Sequence, residues 1–160
     1  MAQPWERKFL GFRFTNSEQP LRRIAPKAVL RFKERVRELT RRTRGVSMER
    51  RANELSVYLR GWRSYFGFCQ TPGMLKDLDG WLRRRLRSAI WKQWKGYSVR
   101  CTELRKRGVN AQLAAMTTGS AHGPWRVAQS PALTFAFPNG YFDSLGIPRL
   151  AIGPLAYVRH

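Results

Sequence analysis

Apolar residues recur at helical spacing along most of the chain. Val29, Phe32, Val36 and Leu39 lie three or four residues apart, with Pro26 ahead of them and Gly45 beyond. Proline suits a first helical turn and glycine a stop, so the pattern predicts a helix over 26–43. Met48, Ala52, Leu55, Leu59, Trp62 and Phe66 follow at spacings of 4, 3, 4, 3 and 4. They predict a second helix over 48–66. Ser47 is placed to cap it, and Glu49 stands in the first turn, where the helix dipole favours an acid. Thr71, Pro72 and Gly73 break that pattern. Leu75, Leu78, Leu82, Leu86, Ala89 and Ile90 then predict a third helix over 73–95.

After Gly96 the pieces become short and are punctuated by proline and glycine. Residues 98–108 read as a short helix with Ser98 as cap and Gly108 as stop. Asn110 can cap another over 111–117. Residues 117–123, TTGSAHG, read as a loop, and 124–148 as two or three short helices ended by Gly146. At the other end, Phe-rich KFLGFRF (8–14) and LRRI (21–24) flank a polar stretch and predict a β-hairpin. A hairpin alone is marginally stable, so it would form the edge of something larger. The fold class expected is mainly α: an N-terminal β-hairpin, a three-helix bundle, then a small segment of short helices.

The polar positions change the picture. At about 100° per residue, Lys27, Arg31, Arg35 and Arg42 fall away from the apolar stripe of the first helix. On the third helix Arg84, Arg87, Trp91 and Lys95 project opposite the leucine seam, with Trp94 near the boundary. The stretch 80–96, GWLRRRLRSAIWKQWKG, holds six basic residues, three tryptophans and no acid. For the run Arg83–Arg85 a solvated face is the plain explanation. Uniform positive charge beside tryptophan favours nucleic-acid contact instead, with phosphate bound by arginine and bases stacked on indole. Trp62 and Phe66 continue the seam of the second helix and read as core, whereas Tyr58 and Tyr65 stand off it and stay open.

Bulk charge points the same way. Lys and Arg total 31 against 10 acids in 160 residues, a net charge of +21. Residues 25–95 hold 19 of the basic residues and 6 of the acids. Such a field opposes compaction unless a polyanion neutralises it, and phosphate contacts with counterion release do so. Arginine predominates, and guanidinium groups grip phosphate in bidentate fashion. The apolar share of 42% is enough for a core and argues against wholesale disorder. Cys69 and Cys101 match neither a zinc site nor a disulfide framework, which suits free thiols in a reducing compartment. No stretch of about 18 apolar residues is present to span a membrane, and the N-terminus lacks a signal-type apolar region. An intracellular protein is expected.

Catalytic chemistry finds little support. Asp77 and Asp79 are the nearest acidic pair, but two residues apart on a helix they diverge by about 200°. Charge near a helix N-terminus explains them better than a shared metal. His122 and His160 have no partner at a familiar metal spacing, and no G-x-x-x-x-G-K-S/T phosphate loop occurs.

FLGFRF (9–14), RGWRSYFGF (60–68), LDGWLRRRLR (78–87) with WKQWK, then RKRGVNAQLAAM and GPWRVAQSPALTFAFPNGYFDSLGIPRL occur in this order. Together they resemble the C-terminal part of group II intron reverse transcriptase/maturases, over nearly the whole chain. The resemblance implies that residues 1–24 hold the last palm hairpin (8–24). It makes 25–95 the thumb, or maturase-specific domain X, a three-helix unit. Residues 96–160 would be a small helical DNA-binding segment. It implies group II intron RNA as partner and target DNA as a further one, and the Phe-rich hairpin at 8–24 suggests a separate palm/fingers chain as a third. No membrane partner is expected, and the location would be cytoplasmic, in a ribonucleoprotein. The family's Y-A-D-D motif and upstream aspartate are missing. No polymerase activity or cofactor is therefore expected of this chain, with magnesium left to the RNA or to a missing polymerase domain. The chain would be a fragment, a truncated product or a stand-alone maturase domain. TTGSAHG also departs from the aromatic-containing helix expected there.

The RNA-binding candidates are Lys27, Arg31, Arg35, Arg42, Arg83, Arg84, Arg87, Trp91 and Lys95, with Arg60 and Arg63 added partly on family grounds. Arg105, Lys106, Arg107 and Arg126 are the DNA-binding candidates that the resemblance implies. The function expected is that of an RNA-binding maturase module. The alternatives are a non-catalytic subunit of a reverse transcriptase completed by another chain, or a general basic nucleic-acid-binding protein.

Overall fold

Pro26 opens α1 (Pro26–Leu39), as a first-turn proline should. α2 (Met48–Phe66) starts where the Arg50 N–H donates to the Ser47 hydroxyl at 3.2 Å. α3 (Pro72–Gln93) is the longest helix, and α4 (Tyr97–Lys106) follows it across Gly96. The Leu113 N–H donates to the Asn110 side chain at 2.8 Å and fixes the start of α5 (Ala111–Thr118). Three short helices close the order: α6 (Pro124–Val127), α7 (Pro131–Ala136), capped by Ser130, and α8 (Asn139–Ser144). This is a computed structural model, and it describes residues 12–14, 22–41, 46–67 and 72–151.

The fold is mainly α. Strands β1 (Phe12–Phe14) and β2 (Arg22–Ile24) pair antiparallel, with Phe12 opposite Ile24. The stretch that would turn between them, 15–21, lies outside the described residues. The Phe12 ring lies 5.7 Å from Tyr65 and 5.3 Å from Phe66, which seats the strands against the end of α2.

Several boundaries differ from the pattern-based expectation. α1 stops at Leu39, not 43. Thr40 leaves the helical region and its hydroxyl donates to the Val36 carbonyl at 2.7 Å, a local bond that competes with further winding. α3 ends at Gln93, not 95. Gly96 adopts φ +88°, which a Cβ would disfavour, and it caps α4 with its backbone. The expected Ser98 cap therefore lies inside α4. α5 runs through Thr118, so the loop begins at 119. Gly146, at φ +84°, follows α8 as anticipated.

Phe32 brings α1, α2 and α3 together. It is fully buried, with ring centroids of Trp62, Tyr58 and Trp81 at 4.6, 6.1 and 6.4 Å. One apolar core runs on from there, through Leu82, Leu86 and Trp91 of α3, to Leu104, Leu133, Phe137 and Phe142. α3 packs against α6, and α4 packs against α5 and α7. The long central helix is thus covered on two sides, and the short C-terminal helices form its second wall.

Residues 146–151 cross back over α2 and α3. The buried Ser56 hydroxyl donates to the Gly146 carbonyl at 2.6 Å, and an Arg63 guanidinium nitrogen donates to the Arg149 carbonyl at 3.1 Å. Asp79 accepts the N–H groups of Leu150 and Ala151 at 2.8 and 2.9 Å. Asp79 sits in the third turn of α3, whose first turn holds no acid, so the expected role in helix N-terminal charge is replaced by this anchor.

Candidate nucleic-acid interface

Among the described residues, two groups of cations gather around aromatic rings. On α1, Lys27, Arg31 and Arg35 all face solvent. The stripe Ala28, Phe32, Val36 and Leu39 is turned inward, so the amphipathic pattern holds them out. Arg35 pairs with Glu38 at 2.8 Å, an exposed contact that solvent weakens. Lys33 and Arg37 stand 5.3 and 5.5 Å from the Trp81 ring centroid. Arg85 donates to Thr40 at 3.0 Å and adds a third cation beside them. Arg42 lies outside the described residues.

The second group surrounds a groove between α3 and α6. It has a volume of about 690 Å³ and is lined among others by Lys76, Asp77, Trp81, Arg84, Trp125 and Gln129. Arg84 is held in one orientation. Its Nε donates to the Trp125 carbonyl at 2.9 Å, and its guanidinium lies 4.0 Å from the Trp125 ring centroid. Trp125 is 39% exposed, and Arg126 beside it is exposed. Trp81 joins the two groups, since its ring touches the α1 cations and also forms part of the groove wall.

The expected outward face of α3 is corrected here. Trp91 is 2% exposed and Arg83 is 3% exposed. The face opposite the leucine seam packs on the C-terminal helices, which a single-helix wheel does not contain. Arg100 covers Trp91 at 4.3 Å and donates to the carbonyls of Trp94 and Trp91 at 2.8 and 3.2 Å. Trp94 lies 5.5 Å from Phe137. Arg83 stands 3.8 Å from Asp79 and 3.7 Å from Asp143. Burial lowers its pKa, and the two carboxylates oppose that shift. Arg87 is half-buried and bridges to α8 by donating to the Phe137 carbonyl at 2.8 Å and to Asn139 at 3.2 Å.

The remaining candidates divide in the same way. Arg60 and Lys95 are exposed, while Arg63 is half-buried and bonded to Arg149. Arg105 and Lys106 are exposed at the end of α4. Arg107 turns inward to Glu103 at 2.7 Å and lies over the Phe137 and Trp94 rings at 4.8 and 5.2 Å. The Arg107 hydrogen bond holds the Glu103 carboxyl below its usual range.

Sequence reading missed Lys76, Trp81 and Trp125 as candidates. The signal available for Trp125 was the Gly-Pro-Trp-Arg at 123–126, a large indole next to arginine in a loop-rich stretch. Among the described residues no group of three metal-ligating side chains occurs, and no helix is long and apolar enough to cross a membrane.

Comparison with known proteins adds one finding. A family model described as the group II intron maturase-specific domain matches residues 29–108, from α1 through the end of α4. No reverse-transcriptase catalytic domain was found in the 160-residue chain. No curated protein matched the chain.

Proposed function

Because the chain belongs to the group II intron maturase-specific domain family, we propose that it binds group II intron RNA and stabilises the folded form that splices. The observation that carries this reading is the exposed row Lys27, Arg31 and Arg35 on α1, with Arg31 and Arg35 inside the matched region and Lys27 two residues before it. These cations meet the RNA backbone, and the guanidinium groups hold phosphate oxygens in pairs. Lys33, Arg37 and Arg60 widen the contact. Arg83 and Trp91 serve the core and make no RNA contact. The intron supplies the chemistry and the magnesium, and the protein restricts the RNA to its active shape.

Within a complete reverse transcriptase the same face would grip the template–primer duplex. The finer division follows the resemblance: 1–24 from the palm edge, 25–95 as thumb, and 96–160 as a DNA-contacting segment through Arg105, Lys106 and Arg126. Arg107, engaged with Glu103, would position that segment rather than touch DNA.

A second reading has its own observation. Tyr65 is 46% exposed and its ring lies 5.7 Å from Phe12 of β1, in a sheet that has two strands among the described residues. Such a surface suits a separate palm/fingers chain. Co-purification with that chain supports it, and strictly monomeric behaviour beside it argues against it.

The test of the main reading is splicing of a group II intron precursor at limiting magnesium. The full chain should accelerate splicing, where an unrelated protein of equal charge does not. Equal effects of the two would reduce the chain to a general basic nucleic-acid-binding protein.

A further inference from the structure

We propose that the groove between α3 and α6 takes one unpaired nucleotide of the bound RNA, with its base against Trp125 and Trp81 and its phosphate on Arg84. The inference rests on the RNA-binding reading above and names the site at which a single nucleotide is held.

Three observations carry it. The first is the prepared state of Arg84. Its Nε is tied to the Trp125 carbonyl at 2.9 Å and its guanidinium carbon lies 4.0 Å from the indole ring centroid. Among the described residues its two terminal nitrogens carry no hydrogen bond. A guanidinium fixed in this way presents its free fork to a phosphate with little further ordering, which favours binding. The second is aromatic surface at an accessible place. Trp125 is 39% exposed although its ring already stacks on a cation. Trp81 lines the same groove. Unstacked bases bind to such indoles with little sequence preference. The third is size and charge. The volume of about 690 Å³ falls in the range of small-ligand sites. Lys76, Arg84 and Arg87 outnumber the one lining acid, Asp77, and Gln129 offers an amide to a base edge. A paired base in a duplex could not enter, because its faces and edge are already occupied.

The experiment compares single-stranded oligoribonucleotides with counterparts carrying one abasic position, using the full chain. Binding is read by tryptophan fluorescence and by photocrosslinking with peptide mapping. Intact strands should bind the wild type about tenfold more tightly than abasic ones, and crosslinks should fall on the peptide containing Trp125. Trp125→Ala should remove that difference, and Lys76→Ala should weaken both strands alike. If Trp125→Ala does not fold, the wild-type crosslink position and the intact-to-abasic ratio still decide. Equal affinity for intact and abasic strands, or crosslinks confined to α1, overturns the pocket. Intron RNA bound normally by the wild type in that case leaves the main reading standing. Failure of the wild type to bind intron RNA over competitor RNA removes both.

Discussion

The Asp79 carboxylate accepts the Leu150 backbone N–H at 2.8 Å, and in doing so ties the end of the described chain to the middle of its longest helix. The same carboxylate takes the Ala151 N–H and lies 3.8 Å from buried Arg83. One acid thus satisfies two backbone donors and offsets a desolvated cation.

Asp79→Ala should therefore lower stability by about 3 kcal/mol, since it leaves a buried charge with less compensation and two donors unmet. Thermal or urea unfolding of the variant checks this. Hydrogen exchange should show the residues around 146–151 opening first. A change within about 0.5 kcal/mol, the range of an ordinary surface substitution, contradicts the anchor.

Trp91→Ala should cost about 3–5 kcal/mol, as truncation of a large buried aromatic does. The loss should appear in unfolding curves before any loss of RNA affinity at low temperature. A fully folded variant with selectively reduced RNA binding would instead place Trp91 on the binding surface.

Acid should loosen the C-terminal segment. The Arg149 hydrogen bond holds the Asp143 carboxyl below its usual range, with Arg83 reinforcing it. A depressed carboxylate contributes stability that is present above its unfolded pKa and lost as pH falls through its folded one. The contribution should be full above about pH 5 and be lost progressively as pH falls below that. Asp143→Asn should flatten that acid limb, as followed by unfolding across the acidic range. An unchanged limb contradicts the assignment.

Much of the architecture could be read from local pattern. The 4-3-4-3-4 spacing on α2 and the caps at Ser47 and Asn110 are short-range features, and the backbone obeyed them. The site was less legible. A helical wheel correctly sets Arg84, Arg87 and Trp91 opposite Leu82 and Leu86, but it does not say what covers that side. Here α6, α7 and α8 do, through bonds such as Arg87 to Phe137, separated by 50 residues. The shared role of Asp79, Arg83 and Asp143 is equally non-local. The exposure of Lys27, Arg31 and Arg35 on α1 was the part that charge and period alone could locate.

The central claim is that those α1 cations hold intron RNA through its phosphates. The most direct test is the salt dependence of binding between the full chain and a group II intron RNA, for wild type and for Lys27→Glu with Arg31→Glu. The double variant should show weaker binding, intact helicity, and a log–log salt slope reduced by about 1 for each phosphate contact removed. An unchanged slope and affinity in a folded double variant would contradict it.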